Sequence, residues 1–257
     1  MCVCCHRCHL VQMAFDSLFF QAKTKGRRRR SSRLSSKTFM INIVTASNNK
    51  IGHILVQLIH RQDIINEEGV DYYLSMDERS DEMMRLGYLL QNKNGRLRRS
   101  VQNAGTGAWH ADELAEDKNI TYIEEIVITE AWRGRGICTW ALNALFRLDV
   151  MCRPRFLWAW PTLLNHLEPA PTAGHGKMTA AEVAAYHQRK DRVVNLFRKI
   201  GFRRVGNSEF FCMSRDPHHR SRAVAVEGDA PYKDGSPAES VNSMMHSIIG
   251  HGIYQTW

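Results

Sequence analysis

The chain has 257 residues, 44% of them apolar and 24% charged, with 35 Lys and Arg against 26 Asp and Glu. That size suits one large domain with tails, or at most two small domains, and the apolar fraction argues against wholesale disorder or a fibrous chain. No run of 18 or more apolar residues occurs, which excludes a helical membrane span.

The net charge of +9 sits at one end. Residues 1–38 hold nine basic groups and a single acid, Asp16, so the remainder is close to neutral. A nucleic-acid partner therefore has support only from the basic arm Arg27–Arg30, not from the body of the protein. Cys2, Cys4, Cys5 and Cys8, with His6 and His9 beside them, crowd six potential zinc ligands into eight positions. Structural zinc sites draw two ligand pairs together across a longer spacing, so no metal is expected here. The odd total of seven cysteines points to a reducing, intracellular compartment. Cytoplasmic and nuclear placements fit the basic arm, and an Arg- and Ser-rich mitochondrial leader is the alternative.

From Phe39 onward the pattern becomes that of a folded domain. Phe39–Val44 and Ile51–Ile59 read as two strands parted by Ser47-Asn48-Asn49. Ser75-Met-Asp-Glu78 has the form of a capping box and predicts a helix running to about Gln91. A polar loop through Gly105 and Gly107 follows. Ile120–Thr129 is β-branched and apolar except at Glu124 and Glu125, which predicts a buried strand. After it comes Ala131-Trp-Arg-Gly-Arg-Gly-Ile-Cys138. Cys138, Ala141, Leu142, Leu145 and Phe146 then fall on one helical face.

A strand that turns through glycines and arginines into a helix suits an anion. Gly134 and Gly136 let the backbone approach a ligand closely, and the first-turn amides of the helix lie at its positive end. Arg133 and Arg135 add charges matched to phosphate oxygens, so a pyrophosphate is the expected occupant. The loop lacks the Gly-Lys-Ser/Thr ending of a nucleoside-triphosphate loop and the third glycine of a dinucleotide fold.

In these residues the chain resembles the GNAT superfamily of acyl-CoA N-acyltransferases, whose signature is Arg/Gln-x-x-Gly-x-Gly/Ala between a central strand and a helix. Arg133-Gly-Arg-Gly136-Ile-Cys138 follows that pattern, with Cys138 at the final small position. Phe156–Pro161 matches the family's next strand, which splays from its neighbour to admit the pantetheine arm. Thr179-Ala-Ala-Glu182 opens a helix whose apolar face ends at Gly201. Leu196–Phe202 is similar to the family's Leu-Tyr-Glu-Lys-Leu-Gly-Phe element, and Glu209–Met213 would be the closing strand. The resemblance implies an α/β fold with a mixed sheet and splayed central strands.

It also implies a reaction: acetyl transfer from acetyl-CoA to a primary amine, on a small molecule or a protein, by direct attack. By carry-over, Arg133, Gly134, Arg135, Gly136, Ile137 and Cys138 would hold the CoA pyrophosphate, and Ile126, Val127, Ile128 and Thr129 the pantetheine amides. An amine of pKa about 10.4 is roughly one part in 2,500 neutral at pH 7, a cost of about 4.6 kcal/mol. A carboxylate at the acceptor side would offset it. Glu124 is the candidate base, on the expectation that Glu124 and Glu125 point to opposite faces and that Glu124 shares a face with Ile128. The family's proton-donating helical tyrosine corresponds to Phe197, which has no proton to give. A catalytically weak acyl-CoA-binding or scaffold protein is therefore the second reading.

The remaining candidates read as structural. Cys138 lies on an apolar helical face with no histidine near it in sequence, Trp158 and Trp160 read as wall and core, and His218-His219 lacks a second ligand pair. The expected organisation is an unstructured basic segment over 1–38, the domain over 39–216 and a loose tail over 217–257. The long connection 163–177 reads as a lid over the acceptor, and Ser243–Ile249 as a short amphipathic helix.

Overall fold

The structure is a computed structural model that describes residues 10–12, 18–24, 36–68, 70–77, 80–92, 96–117, 119–151, 154–164 and 179–231. The N-terminal cysteine cluster, Arg27–Arg30, all but two residues of the 163–177 connection and Ser243–Ile249 lie outside them.

Among the described residues, eight strands form one mixed sheet flanked by helices. They are β1 (Leu10–Gln12), β2 (Leu18–Thr24), β3 (Ser36–Thr45), β4 (Lys50–Ile59), β5 (Ile120–Ile128), β6 (Phe156–Ala159), β7 (Arg203–Arg204) and β8 (Phe211–Ser214), in the order β1-β2-β3-β4-β5-β6-β8-β7. Every neighbouring pair is antiparallel except β5 and β6, which are parallel. Between β4 and β5 lie α1 (Arg61–Asn66), α2 (Tyr72–Asp77), α3 (Asp81–Arg85), a π turn (Leu86–Leu90), α4 (Arg99–Gln102) and α5 (Ala111–Glu116). Later come α6 (Ile137–Leu145), α7 (Ala180–Ile200) and α8 (Arg220–Ala223).

Strand alternation divides the apolar residues into two cores. Ile54, Val56 and Leu58 of β4, Ile123 of β5, Leu157 and Ala159 of β6 and Phe211 and Met213 of β8 face α6 and α7. The opposite face presents Ile59, Ile120, Tyr122, Phe156, Trp158 and Cys212 to the short helices between β4 and β5. α7 starts at the expected capping box, with Thr179 accepting from the Glu182 amide, and ends on Gly201 at φ 119°.

Three expectations change. Residues 18–24 belong to the sheet rather than to an unstructured arm: Leu18 and Phe20 are buried, and β2 pairs with β3 along its whole length. Leu18, Phe20 and Ala22 alternate inward, a pattern hidden by the arginines around it. Ser75 caps nothing. It is buried inside α2, its hydroxyl bonded to the Asp71 carbonyl one turn back, while Asp71 accepts from the Tyr73 and Leu74 amides. The predicted single helix is thus two, the second capped by Ser80. Finally, the tail does not begin at 217. Asp229 is buried and accepts from Arg198 Nε at 2.9 Å and from the Arg204 amide at 3.1 Å, tying residues up to 231 to the domain.

Candidate functional site

The strand-to-helix junction has the geometry of an anion cradle. β5 leads through a 3-10 turn (Glu130–Trp132) to Gly134 at φ 72° and Gly136 at φ 75°, and Gly136 is the N-cap of α6. Both values lie in the left-handed region that disfavours a side chain. A Cβ at either position would meet nothing within 4 Å, so the space over the loop is clear. Arg133 is turned back, its Nε donating to the Ile128 carbonyl at 3.0 Å, and Arg135 lies 4.9 Å from the Trp132 ring centroid. The result is an open backbone turn beside two exposed guanidiniums at the positive end of a helix. Ile137 is buried beneath it. Cys138 packs into the core facing α6, and burial pushes its thiol up to about 12, so it is no nucleophile at neutral pH.

Beside the loop the sheet opens. The parallel ladder links Thr121 to Leu157, Tyr122 to Trp158 and Ile123 to Ala159; β6 ends there while β5 runs on to Ile128. Among the described residues the β6-facing edge of 124–128 has no ladder partner. Ile126, Val127 and Ile128 are half-buried along that edge and Thr129 is exposed at its end.

The two carboxylates sit where the ladder stops, and here the expectation is corrected. Leu55 pairs with Glu125 and Val56 with Ile123, so Glu124 is the extra residue of a β-bulge. A bulge lets two successive side chains share one face. Glu124 Oε2 accepts from Gln57 Nε2 at 2.9 Å, and Glu125 Oε1 lies 2.9 Å from His53 Nε2. His53 and Gln57 are four apart on β4, so both carboxylates occupy the face of Tyr122, opposite the core where Ile126 and Ile128 pack. Glu124 therefore does not share a face with Ile128, and both glutamates stand on one face of the sheet.

Residues that the sequence reading missed complete this face. The Tyr122 hydroxyl donates to Glu82 Oε2 at 2.5 Å from the first turn of α3. Burial raises the Glu82 pKa, the Tyr122 hydrogen bond offsets part of this, and the charge of Glu124 raises it further. Arg85, paired with Glu209, lies 5.1 Å from the Trp160 ring centroid at the rim. His53 and Gln57 alternate with Ile54, Val56 and Leu58, so two polar positions on one face of β4 were readable in the sequence; Glu82 carried no such signal.

A raised pKa means that the folded state binds the Glu82 proton more tightly than the unfolded chain. Stability from this group is present at low pH and is lost as pH rises from the ordinary glutamate value to the raised one. Glu82→Gln, which keeps an acceptor for Tyr122, is expected to flatten that decline. Chemical denaturation across the acid-to-neutral range reads it, and an unchanged slope would show that Glu82 is not the group responsible.

Other residues singled out from the sequence fall elsewhere. Phe197 is buried with its ring 5.0 Å from Phe202, within the core rather than at the cleft. Trp158 is core. His219 stacks on Trp109 at 5.2 Å and contacts Glu113 at 3.0 Å, a structural role; His218 is exposed. Among the described residues no three His, Cys, Asp or Glu side chains converge as metal ligands, and no helix is long and apolar enough to cross a membrane.

Compared with protein-family models, with curated proteins and with solved structures, the chain gives no match.

Proposed function

We propose that the chain is a GNAT-type N-acetyltransferase that moves an acetyl group from acetyl-CoA to a primary amine by direct attack. The observation that carries this reading is the end of the β5–β6 ladder at Ile123 and Ala159, beside both the glycine loop and the carboxylate-bearing bulge. A pantetheine arm needs a gap between strands with backbone groups available along one side; among the described residues the edge from Ile126 to Thr129 has no partner strand there, and its Ile128 carbonyl accepts from Arg133. The loop from Arg133 to Cys138 supplies donors for the pyrophosphate at the end of that gap.

In this mechanism the amine nitrogen attacks the thioester carbonyl, the carbon–sulfur bond breaks with its electron pair going to sulfur, an amide forms, and CoA leaves as the thiolate, which takes a proton from solvent. The proton leaving nitrogen goes to Glu124. Gln57 holds Oε2, while Oε1 makes no hydrogen bond among the described residues and is available as acceptor. Glu125, anchored by His53, and Glu82 add negative charge on the same face, which suits a cationic acceptor such as an alkylammonium.

The second reading, an acyl-CoA-binding or scaffold protein with little turnover, is favoured by one feature. Phe197 is buried, so α7 provides no proton donor for the leaving thiolate at that position. Thiol release from acetyl-CoA, measured with the full chain and a panel of primary amines, separates the two. Amine-dependent release supports the transferase; tight acetyl-CoA binding without release by any amine supports the scaffold.

A further inference from the structure

Only two large apolar side chains among the described residues are exposed, Leu196 of α7 at 37% and Leu74 of α2 at 62%. Leu74 does not stand alone. Tyr73 beside it is half-buried and stacks on Tyr88 of the π turn, with ring centroids 4.5 Å apart at 14°. The Tyr88 hydroxyl makes no hydrogen bond among the described residues. Burial, and behind it the charges of Asp71 and Asp77, raise its pKa, so both carboxylates act on this spot. The other side of α2 sends Tyr72, Ser75 and Met76 into the core. The helix thus turns outward a leucine and a tyrosine pair bordered by two acids, with Leu74 left to solvent.

Tyr73 also ties this face to the place where the chain leaves the domain. Its hydroxyl accepts from Arg98 Nη2 at 3.3 Å, and Arg98 is the N-cap of α4. The four residues of α4 lead to a loop holding Gly105, where an added Cβ would come 3.2 Å from the Ala230 Cβ. Arg198 and Arg204 fix Ala230 and Pro231 there by donating to their carbonyls. Residue 232 therefore departs one helical turn and a short loop away from the Tyr73 hydroxyl.

Residues 232–242 can span up to about 36 Å when extended, which brings Ser243 within reach of α2. In Ser243-Met-Met-His-Ser-Ile-Ile249, Met244, Met245, Ile248 and Ile249 fall at i, i+1, i+4 and i+5, one side of a helix. A helix this short is marginal alone in water and needs a surface to bury that side. No Asp or Glu follows Glu239, so nothing there repels Asp71 and Asp77, and His246 brings a donor suited to them. We propose that Ser243–Ile249 docks its apolar side on the Tyr73–Leu74–Tyr88 face of the same chain. The proposal uses neither the glycine loop nor the β5 carboxylates and does not depend on the transferase reading.

Amide hydrogen exchange of the full chain tests it. Residues 243–249 are expected to exchange at least about tenfold more slowly than the same sequence as a free peptide. Leu74→Glu, at a position already facing solvent, should abolish that protection and leave exchange in β3–β5 unchanged. Ile248→Glu should abolish it from the other partner and speed exchange in α2. Should Leu74→Glu disturb β3–β5, the Ile248 variant decides. Leu196→Glu, on α7, should leave the segment as in the wild type. Absence of protection in the wild type, protection indifferent to Leu74→Glu or to Ile248→Glu, or protection lost in Leu196→Glu would overturn the proposal. Protection that falls on dilution would also overturn it, because the segment would then belong to a second copy.

Discussion

Replacing Phe20 by alanine is expected to destabilise the protein by about 3–5 kcal/mol, as for other fully buried aromatic rings. Phe20 is 0% exposed and its ring stacks on Trp140 of α6 at 4.8 Å and 16°. It comes from β2, inside a stretch whose composition suggests an unstructured arm, so the effect also tests the domain boundary. A fragment of residues 36–222 should fare worse still. It uncovers one edge of β3 along Phe39–Thr45 and removes Asp229, the acceptor for Arg198 and for the Arg204 amide. Urea denaturation measures both. A wild-type midpoint for Phe20→Ala would mean that β2 does not belong to the core.

Glu124→Gln is expected to reduce acetyl transfer to a cationic amine by about 10²–10⁴-fold near neutral pH, the usual contribution of a positioned general base. The defect should shrink as pH rises toward the amine's own pKa, because solution then supplies the neutral nucleophile that the carboxylate otherwise generates. Glu125→Gln should cost less than about tenfold, since His53 occupies one oxygen of that carboxylate and its part in the scheme is to add charge to the cleft. A pH–rate profile of the two variants distinguishes them. The opposite ranking would make the Glu125–His53 pair the proton acceptor.

How much of this was legible depended on whether a feature is local in the chain. The strands at 39–44, 51–59 and 120–128 and the helices α6 and α7 follow from period-2 and period-3.6 patterns long enough to read. The Thr179–Glu182 box and Gly201 marked the ends of α7 for reasons internal to that helix. The five short helices between β4 and β5 have six residues or fewer, too short for a periodic stripe, and owe their existence to the sheet face they cover. Ser75 misled because its spacing to Glu78 imitates a cap, whereas Asp71 and Ser80 do the capping.

The bulge could not be read from β5 by itself. That Glu124 is the extra residue is a fact about its register with β4, and this register turns two alternating glutamates into a pair on one face. The attachment of 217–231 was hidden for a related reason. A Gly-, Pro- and charge-punctuated segment reads as a linker until Arg198 and the Arg204 amide are found around its one buried carboxylate. The glycine loop, by contrast, is local: its two left-handed glycines and two exposed arginines lie within a few consecutive residues.

The most direct test of the account is titration of the full chain with acetyl-CoA, beside Gly136→Glu. The substitution puts a carboxylate where the loop offers amides; φ 75° strains a side chain there, and with no neighbour within 4 Å of its Cβ that strain should stay confined to the loop. The account predicts micromolar binding by the wild type and a loss of at least about a hundredfold, near 2.7 kcal/mol, in the variant. Absence of binding by the folded wild type, or equal binding by both, would contradict it.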